Sequence, residues 1–327
     1  MRAVFDYDFI KFAAACLAEE RTIKVVHKQS GREKSFQTRT DFYGNWHKKN
    51  GGWLAEQNSK RTTPFLVEDF EIIDLQTPKP KGHAIQCAKT QIESILHKIE
   101  VESYYGFVGR GKSFREDLST VLKYKGTREG LLRPIYLDDV AEYIVKNHNG
   151  EYQEHSEVDD RVVQEWYRDK SLTVVGGEKD FMGCEINFFN PSTMDTPMKI
   201  RGLGGLYIDA KKKVRGHGRM FKYHQCLSSD SADNYAANSA SDVKWGEKSS
   251  YNLLAPCKTD KECFEALVKG YKTLYPEPKT IIGWRGNEIE IDWLYVLNEN
   301  LNLAHLHRWE NDFLNTKAVL DKLGITH

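Results

Sequence analysis

The sequence is first informative for what it lacks. Its six cysteines, Cys16, Cys87, Cys184, Cys226, Cys257 and Cys263, form no C-x-x-C pair. That disfavours a zinc ribbon or dithiol motif and leaves reduced thiols as the better reading. No apolar run approaches the roughly 20 residues that a membrane-spanning helix needs; the longest near the start covers residues 12–18. The opening MRAVFDYDF puts acids where a signal peptide would carry its apolar stretch, so a cytoplasmic setting is expected. There is no G-x-S-x-G for a serine hydrolase, and Gly202-Leu203-Gly204-Gly205 lacks the Lys-Ser/Thr of a Walker loop. Net charge is also missing: 47 basic residues balance 47 acidic ones. Taken alone, that balance argues against a nucleic-acid binder, whose usual footprint is basic.

What is present changes that reading. With 40% hydrophobic and 29% charged residues, the 327-residue chain has the composition of a folded protein and the length of about two domains. The zero is a sum of blocks. Residues 24–49 carry seven basic and two acidic side chains, 110–128 six and two, and 199–222 eight and one. Residues 138–160 carry eight acidic and one basic. Any one block is ordinarily a solvated face. Four of alternating sign suit a protein that holds cations with carboxylates while gripping a polyanion with Lys and Arg.

Short apolar runs alternate with helical periodicity. Strands are expected at 3–5, 104–108, 152–155 and 172–175, and helices at 9–20, 83–99, 135–147 and 158–167. This alternation predicts an α/β fold, a mainly parallel twisted sheet flanked by helices. Residues 22–80, with Asn50-Gly51-Gly52 and Thr77-Pro78-Lys79-Pro80, read as a β-hairpin or loop insertion and not as a separate domain. Residues 198–215 read as a basic, Gly-rich hairpin, 218–227, 248–255 and 260–274 as helices, and the last fifty residues as mainly helical.

In parallel sheets the functional crevice lies beyond the carboxyl ends of the strands. Acids fall there repeatedly: Asp6 and Asp8, then Glu157, Asp159 and Asp160 in E-V-D-D, then Glu178 and Asp180 in G-E-K-D. Asp230 and Asp233 follow in a polar loop. Each alone is more often a helix cap. Together they suit Mg²⁺ or Mn²⁺, hard ions that take carboxylates and waters, and two such ions serve phosphodiester hydrolysis.

These motifs, in this order, resemble the metal-dependent 5′-nucleases, the family of flap endonucleases and bacteriophage 5′→3′ exonucleases. VFDYDFIKFAAA is similar to their first strand with its metal-binding Asp at Asp6, and SFREDLSTVLKYKGTR to their arch entry ending Y-K-x-x-R at Tyr124, Lys125 and Arg128. E-V-D-D resembles their E-A-D-D, Glu178 and Asp180 their D-x-D, and Asp230 to Asn234 their G-D-x-x-D-N. The resemblance covers about residues 1–20 and 100–250. It departs at Gly109, where the family carries Asp, at Glu178, which replaces Asp, and at Ser229, which replaces Gly.

The resemblance implies a 5′-nuclease/PIN-like core at 1–215 with a helical arch at about 110–134, and a helix–three-turn–helix DNA-binding module within 216–327. It implies a monomeric, structure-selective 5′→3′ exonuclease or flap endonuclease, probing DNA with a 5′ end, flap, nick or junction, with RNA–DNA hybrids a further substrate class. Replication, repair or recombination is the expected setting, in a host cytoplasm if phage-encoded. Asp6, Glu157, Asp159 and Asp180 are the foremost expected ligands of two ions, with Asp160, Glu178, Asp230 and Asp233 behind them. Lys125 and Arg128, one helical turn apart, are expected to orient the phosphate, and Tyr124 to stack on a base or to lie in the core. Lys112, Arg115, Lys123, Lys211, Lys212, Lys213, Arg215, Arg219, Lys222 and Lys248 are the candidate DNA contacts; Lys24, Lys28, Arg32, Lys34 and Arg39 would extend them. His217 and His224 read as packing or phosphate contacts. Two rivals remain: a non-catalytic relative that binds branched or single-stranded DNA, and a phosphatase using Asp6 of D-x-D as nucleophile.

Overall fold

The computed structural model describes residues 1–45 and 51–327. The chain divides into two compact units, one of Met1–Phe9, Ile92–Leu131 and Tyr143–His327, the other of Ile10–Gln91 and Leu132–Glu142. The expected boundary at 215/216 falls within the first of these units.

The first unit is built on a six-stranded sheet flanked by helices. In spatial order its strands are Gly150–His155, Ser103–Ser113, Arg2–Asp6, Leu172–Val175, Asn187–Phe189 and Met198–Lys199. The first five run parallel and the last antiparallel. Arg2–Asp6 and Leu172–Val175 are buried almost throughout, as expected of central parallel strands covered on both faces. Helix Val158–Arg168 turns Val158, Val162, Val163 and Trp166 inward at helical spacing. They pack with Val4, Phe107, Leu172 and Val174 of the sheet.

After the sheet, the hairpin Gly205–Ile208/Val214–His217 carries the basic turn foreseen in the sequence. Helices Arg219–Leu227, Glu247–Leu254, Asp260–Leu274, Trp293–Leu303 and Thr316–Leu323 then enclose a second apolar core, with Leu227, Leu267, Tyr271, Leu297 and Leu301 buried in it. Thr259, Asp292 and Asn315 cap three of these helices through their side chains. The last fifty residues are less helical than expected, because Lys279–Ile282 pairs with Glu288–Ile291 as a hairpin. The alternation in KTII and EIEI spans only four residues each, too short to outweigh the helical spacing that follows.

The second unit contradicts the reading of 22–80 as a mere hairpin or loop. Strands Glu33–Phe36, Glu19–His27 and Phe70–Pro78 form an antiparallel sheet, joined by helices Arg39–Tyr43 and Gly52–Asn58. Phe42, Phe70, Ile23, Val25 and Leu54 are buried together, with Phe36, Trp53 and Phe65 packed against them. Phe42 and Phe70 meet edge to face at 5.3 Å. The segment therefore has its own aromatic core.

The expected helical arch at 110–134 is absent as well. Beyond Ser113 the chain makes one helical turn, Arg115–Leu118, and a 3₁₀ turn, Gly126–Arg128, and is otherwise irregular. Lys125 takes a left-handed conformation, φ 54°, which breaks any helix through Tyr124–Arg128. We call residues 114–128 the strap.

Arg115, at the start of the strap, is 1% exposed. All five of its N–H donors are used. Nε donates to Leu303 O at 3.2 Å, Nη1 to Glu157 Oε2 at 3.0 Å and Asp160 Oδ2 at 2.5 Å, and Nη2 to Asp160 Oδ1 at 2.9 Å and His305 O at 2.7 Å. The expectation that Arg115 contacts DNA is thereby corrected. Replacing it by an apolar chain would leave the Asp160 carboxylate buried without its partner. Arg115→Met should cost about 3–5 kcal/mol of stability, read from urea unfolding; an unchanged midpoint would show that the network bears no weight.

Candidate functional site

Carboxylates from three chain regions converge at the carboxyl edge of the parallel sheet in the first unit. Strand Gly150–His155 leads to Glu157, the N-cap of helix Val158–Arg168, and Asp159 and Asp160 occupy that helix's first turn. Strand Leu172–Val175 leads through Gly176 and Gly177 to a 3₁₀ turn, Lys179–Gly183, that carries Asp180. Asp230 lies in a tight ladder, paired with Tyr235, and Asp233 lies in its turn. The Asp230 Oδ1 accepts the N–H groups of Ala232 at 2.9 Å and Asp233 at 3.3 Å, which shapes the turn.

Two triads result. Glu157, Asp159 and Asp160 place ligand oxygens within 4.8 Å of one another, and so do Asp180, Asp230 and Asp233. Both triads border one narrow cavity, lined by Glu157, Asp159, Asp180 and Asp233 together with Tyr124 and Tyr235.

Cations thread this acidic centre. Lys125 pairs with Glu157 and lies 3.8 Å from Asp233. Arg128 stands 3.7 Å from Asp233, and Lys179 pairs with Asp230 at 2.7 Å. Tyr124, 4% exposed, donates its hydroxyl to Glu157 Oε2 at 2.7 Å, so the core reading of that residue holds and base stacking does not. The strap and the acidic loop are also stitched by their backbones. Lys125 N donates to Asp233 O at 2.9 Å, Asn234 Nδ2 to Lys123 O at 2.9 Å and Arg128 Nε to Ala232 O at 3.2 Å.

These cations do not neutralise the centre. Burial, with the charges of Glu157 and Asp160, raises the Asp159 carboxyl well above its usual range. Burial also raises Asp180 to about 7, with Asp233 and Asp230 adding to the shift and Lys179 opposing it. Asp233 is raised by burial too, against the pull of Lys125. Asp160 goes the other way: burial would raise it, but Arg115 holds it low. The donor set is thus Glu157 and Asp159 on one side and Asp180, Asp230 and Asp233 on the other, in a centre short of positive charge, which fits hard divalent ions.

Several expected residues stand elsewhere. Asp6 is 3% exposed and joins neither triad; its Oδ1 accepts Asp8 N–H at 2.9 Å. Glu178 is exposed and also outside the triads, because the 3₁₀ turn presents Asp180 inward. Asp160 belongs to the first triad, yet both its oxygens accept from Arg115 and Oδ1 also from His307 N at 2.9 Å. Gly109 has a steric reason: a Cβ there would lie 2.5 Å from Asp8 Oδ2, and the Gly109 N–H donates to Asp8 Oδ1 at 2.9 Å.

Among the basic candidates, Arg219 is forked onto Asp260 and also bound to Glu185, which commits it to structure. Lys222 is half-buried, and burial pulls its pKa down. Lys123 pairs with Glu129 and lies over the Trp284 ring. Lys112, Lys211, Lys212, Lys213, Arg215 and Lys248 are exposed. In the second unit Lys24 pairs with Glu33, Arg39 with Asp74, and Lys34 lies over Trp53. His224 is buried against Ser250, a packing role. Sequence reasoning missed Lys179 and Gln225, whose amide donates to Asp180. Lys179 was visible as the cation inside G-E-K-D; nothing marked Gln225.

No family model matches the sequence, and no curated protein does. Among solved structures, the chain is similar to the 5′-exonuclease of phage T5 with bound zinc ions, at 16% identity and a TM-score of 0.44 over 72% of this chain and 86% of that one. It is also similar to the bacteriophage T5 flap endonuclease in a pseudo-enzyme–product complex with DNA and metal ions, at 14% identity and 0.42 over 73% and 91%.

The raised carboxyls give a pH signature. Asp180 titrates near 7 in the folded chain and near 4 unfolded, so its contribution to stability is lost as pH rises between those values. A divalent ion would replace the displaced proton. Mg²⁺ or Mn²⁺ should therefore raise the melting temperature more at pH 8 than at pH 6, and Asp180→Asn with Asp233→Asn should abolish the gain. A gain that is absent or independent of pH would count against a metal centre here.

Proposed function

We propose that the protein is a metal-dependent 5′-nuclease that hydrolyses DNA phosphodiesters as a structure-selective 5′→3′ exonuclease or flap endonuclease. One observation carries the reading: two carboxylate triads border a common cavity at the sheet's carboxyl edge, with Lys125 and Arg128 beside them. Glu157, Asp159, Asp180, Asp230 and Asp233 are the proposed ligands, and Asp160 the buttress that fixes Arg115. Bound divalent ions would supply Lewis acidity and a water ionised near neutral pH.

The chain's own groups do the rest. Lys125 and Arg128 orient the scissile phosphate and offset the charge that develops on its oxygens. Attack by water opposite the 3′ oxygen breaks the P–O3′ bond, leaving a 5′-phosphate and a 3′-hydroxyl. Tyr124 holds Glu157 in place. Exposed Lys112, Lys211, Lys212, Lys213, Arg215 and Lys248 offer backbone contacts, which confer structure selectivity without a base code. The phosphatase reading is disfavoured, since a nucleophile at Asp6 would be almost wholly buried.

A second reading, binding of branched DNA without cleavage, draws support from the pairing of Glu157 and Asp230 with lysines. A panel of 5′-labelled flap, nicked and blunt duplexes with Mg²⁺ or Mn²⁺ separates the two. We expect cleavage near the 5′ end, reduced about 10²-fold or more by Asp159→Asn, Asp180→Asn or Lys125→Ala. Full activity in both Asn variants would refute the site, and binding without cleavage in the parent would favour the second reading.

A further inference from the structure

Behind the second triad lies a pocket of different character. Its walls include Lys179, Lys213, Arg215, Gln225, Ser228 and Ser229, and its volume is about 170 Å³. We propose that this pocket binds a phosphate group of the nucleic-acid strand and so sets where the strand lies relative to the triads. The proposal deepens the nuclease reading above and rests on it for the identity of the strand.

Three cations and one carboxylate, Glu247, line the pocket, and each cation has an exchangeable carboxylate partner that an incoming phosphate would replace: Lys213 with Glu247 at 3.4 Å, Arg215 with Asp209 at 3.0 Å and Lys179 with Asp230 at 2.7 Å. His224 in its wall adds no charge, because burial lowers its pKa to about 4. The cations come from separate elements. Lys179 lies in the turn that carries Asp180, whereas Lys213 and Arg215 come from the basic hairpin. Arg215, whose Nε is held by Asp209 at 3.0 Å, offers the end of its planar fork, and the lysines offer mobile point charges, a combination that suits a tetrahedral oxyanion.

Two wall residues are shared with the acidic centre. Lys179 pairs with Asp230, and the Gln225 amide donates to Asp180. A phosphate in the pocket therefore sits one side chain from the proposed ligands. The basic hairpin thus acts as more than a diffuse positive surface: two of its cations help to enclose a site.

The test is binding of a fluorescent short single strand in EDTA, read by anisotropy over a range of salt. Lys213→Gln with Arg215→Gln should weaken binding about tenfold or more and lower the log–log salt slope by about 1. Lys261→Gln with Lys269→Gln, an equal charge change on an exposed helix face, should weaken it less than about threefold. Ser229→Asp keeps every cation but puts a carboxylate in the pocket, and should mimic the first pair. Equal effects from the two pairs, or no effect from Ser229→Asp, would overturn the proposal.

Strands with a 5′-phosphate and a 5′-hydroxyl identify the source. Tighter binding of the phosphorylated strand, lost in the pocket variants, assigns a terminal monoester. Equal binding of both strands, weakened alike, assigns a backbone diester. Because EDTA suppresses cleavage, failure of the nuclease reading would appear separately, as no products with Mg²⁺ or Mn²⁺ in the parent.

Discussion

Everything at the acidic centre hangs on one guanidinium taken out of water. Arg115 joins the strap, the start of helix Val158–Arg168 and the chain just beyond helix Trp293–Leu303, and each of its hydrogens has an acceptor. A buried cation is tolerable only on those terms. Its grip on Asp160 removes one carboxylate from competition and leaves Glu157 and Asp159 at the cavity. The strap then has a fixed origin, and Tyr124, Lys125 and Arg128 reach the triads without a helix to carry them. Glu299 secures the middle of the strap by accepting the N–H groups of Thr120 and Val121, each at 3.1 Å.

The parallel sheet and its helices were legible because they obey short periodic rules. Val158, Val162, Val163 and Trp166 repeat at helical spacing, and LTVV is a continuous apolar run. Glu157, Asp159 and Asp180 were legible by their place beyond the ends of strands, but position alone did not suffice: Asp6 ends its strand and joins neither triad. The strap was not legible. STVLKYK contains helix formers such as Leu122 and Lys123, but the chain turns extended at Ser119 and left-handed at Lys125, which is stitched to Asp233. The second unit was hidden for another reason. Its core draws Phe36, Phe42, Trp53, Phe65 and Phe70 from irregular intervals, so no period announces them. Arg115 and Gln225 were illegible as partners, because their acceptors lie 45 residues away in sequence.

The balanced composition also acquires a spatial meaning. Charge is not spread evenly but sorted: an acidic centre with lysines threaded through it, and beside it a pocket lined by three cations, each paired with a carboxylate. The two regions meet at Lys179, which lines the pocket and pairs with Asp230. Global neutrality is what remains when such regions are summed, and it says little about either one.

The stitching of strap to acidic loop has a kinetic meaning. Main-chain and amide bonds join Lys123 and Lys125 to residues 233–234, while the lysine's charged end touches the carboxylates only through its flexible stem. The ammonium can therefore exchange a carboxylate for an incoming phosphate by changes of its own side-chain rotamer, with the backbone of the strap left in place. A latch that stays bolted while its bolt-head turns makes the arrival of substrate a matter of torsions.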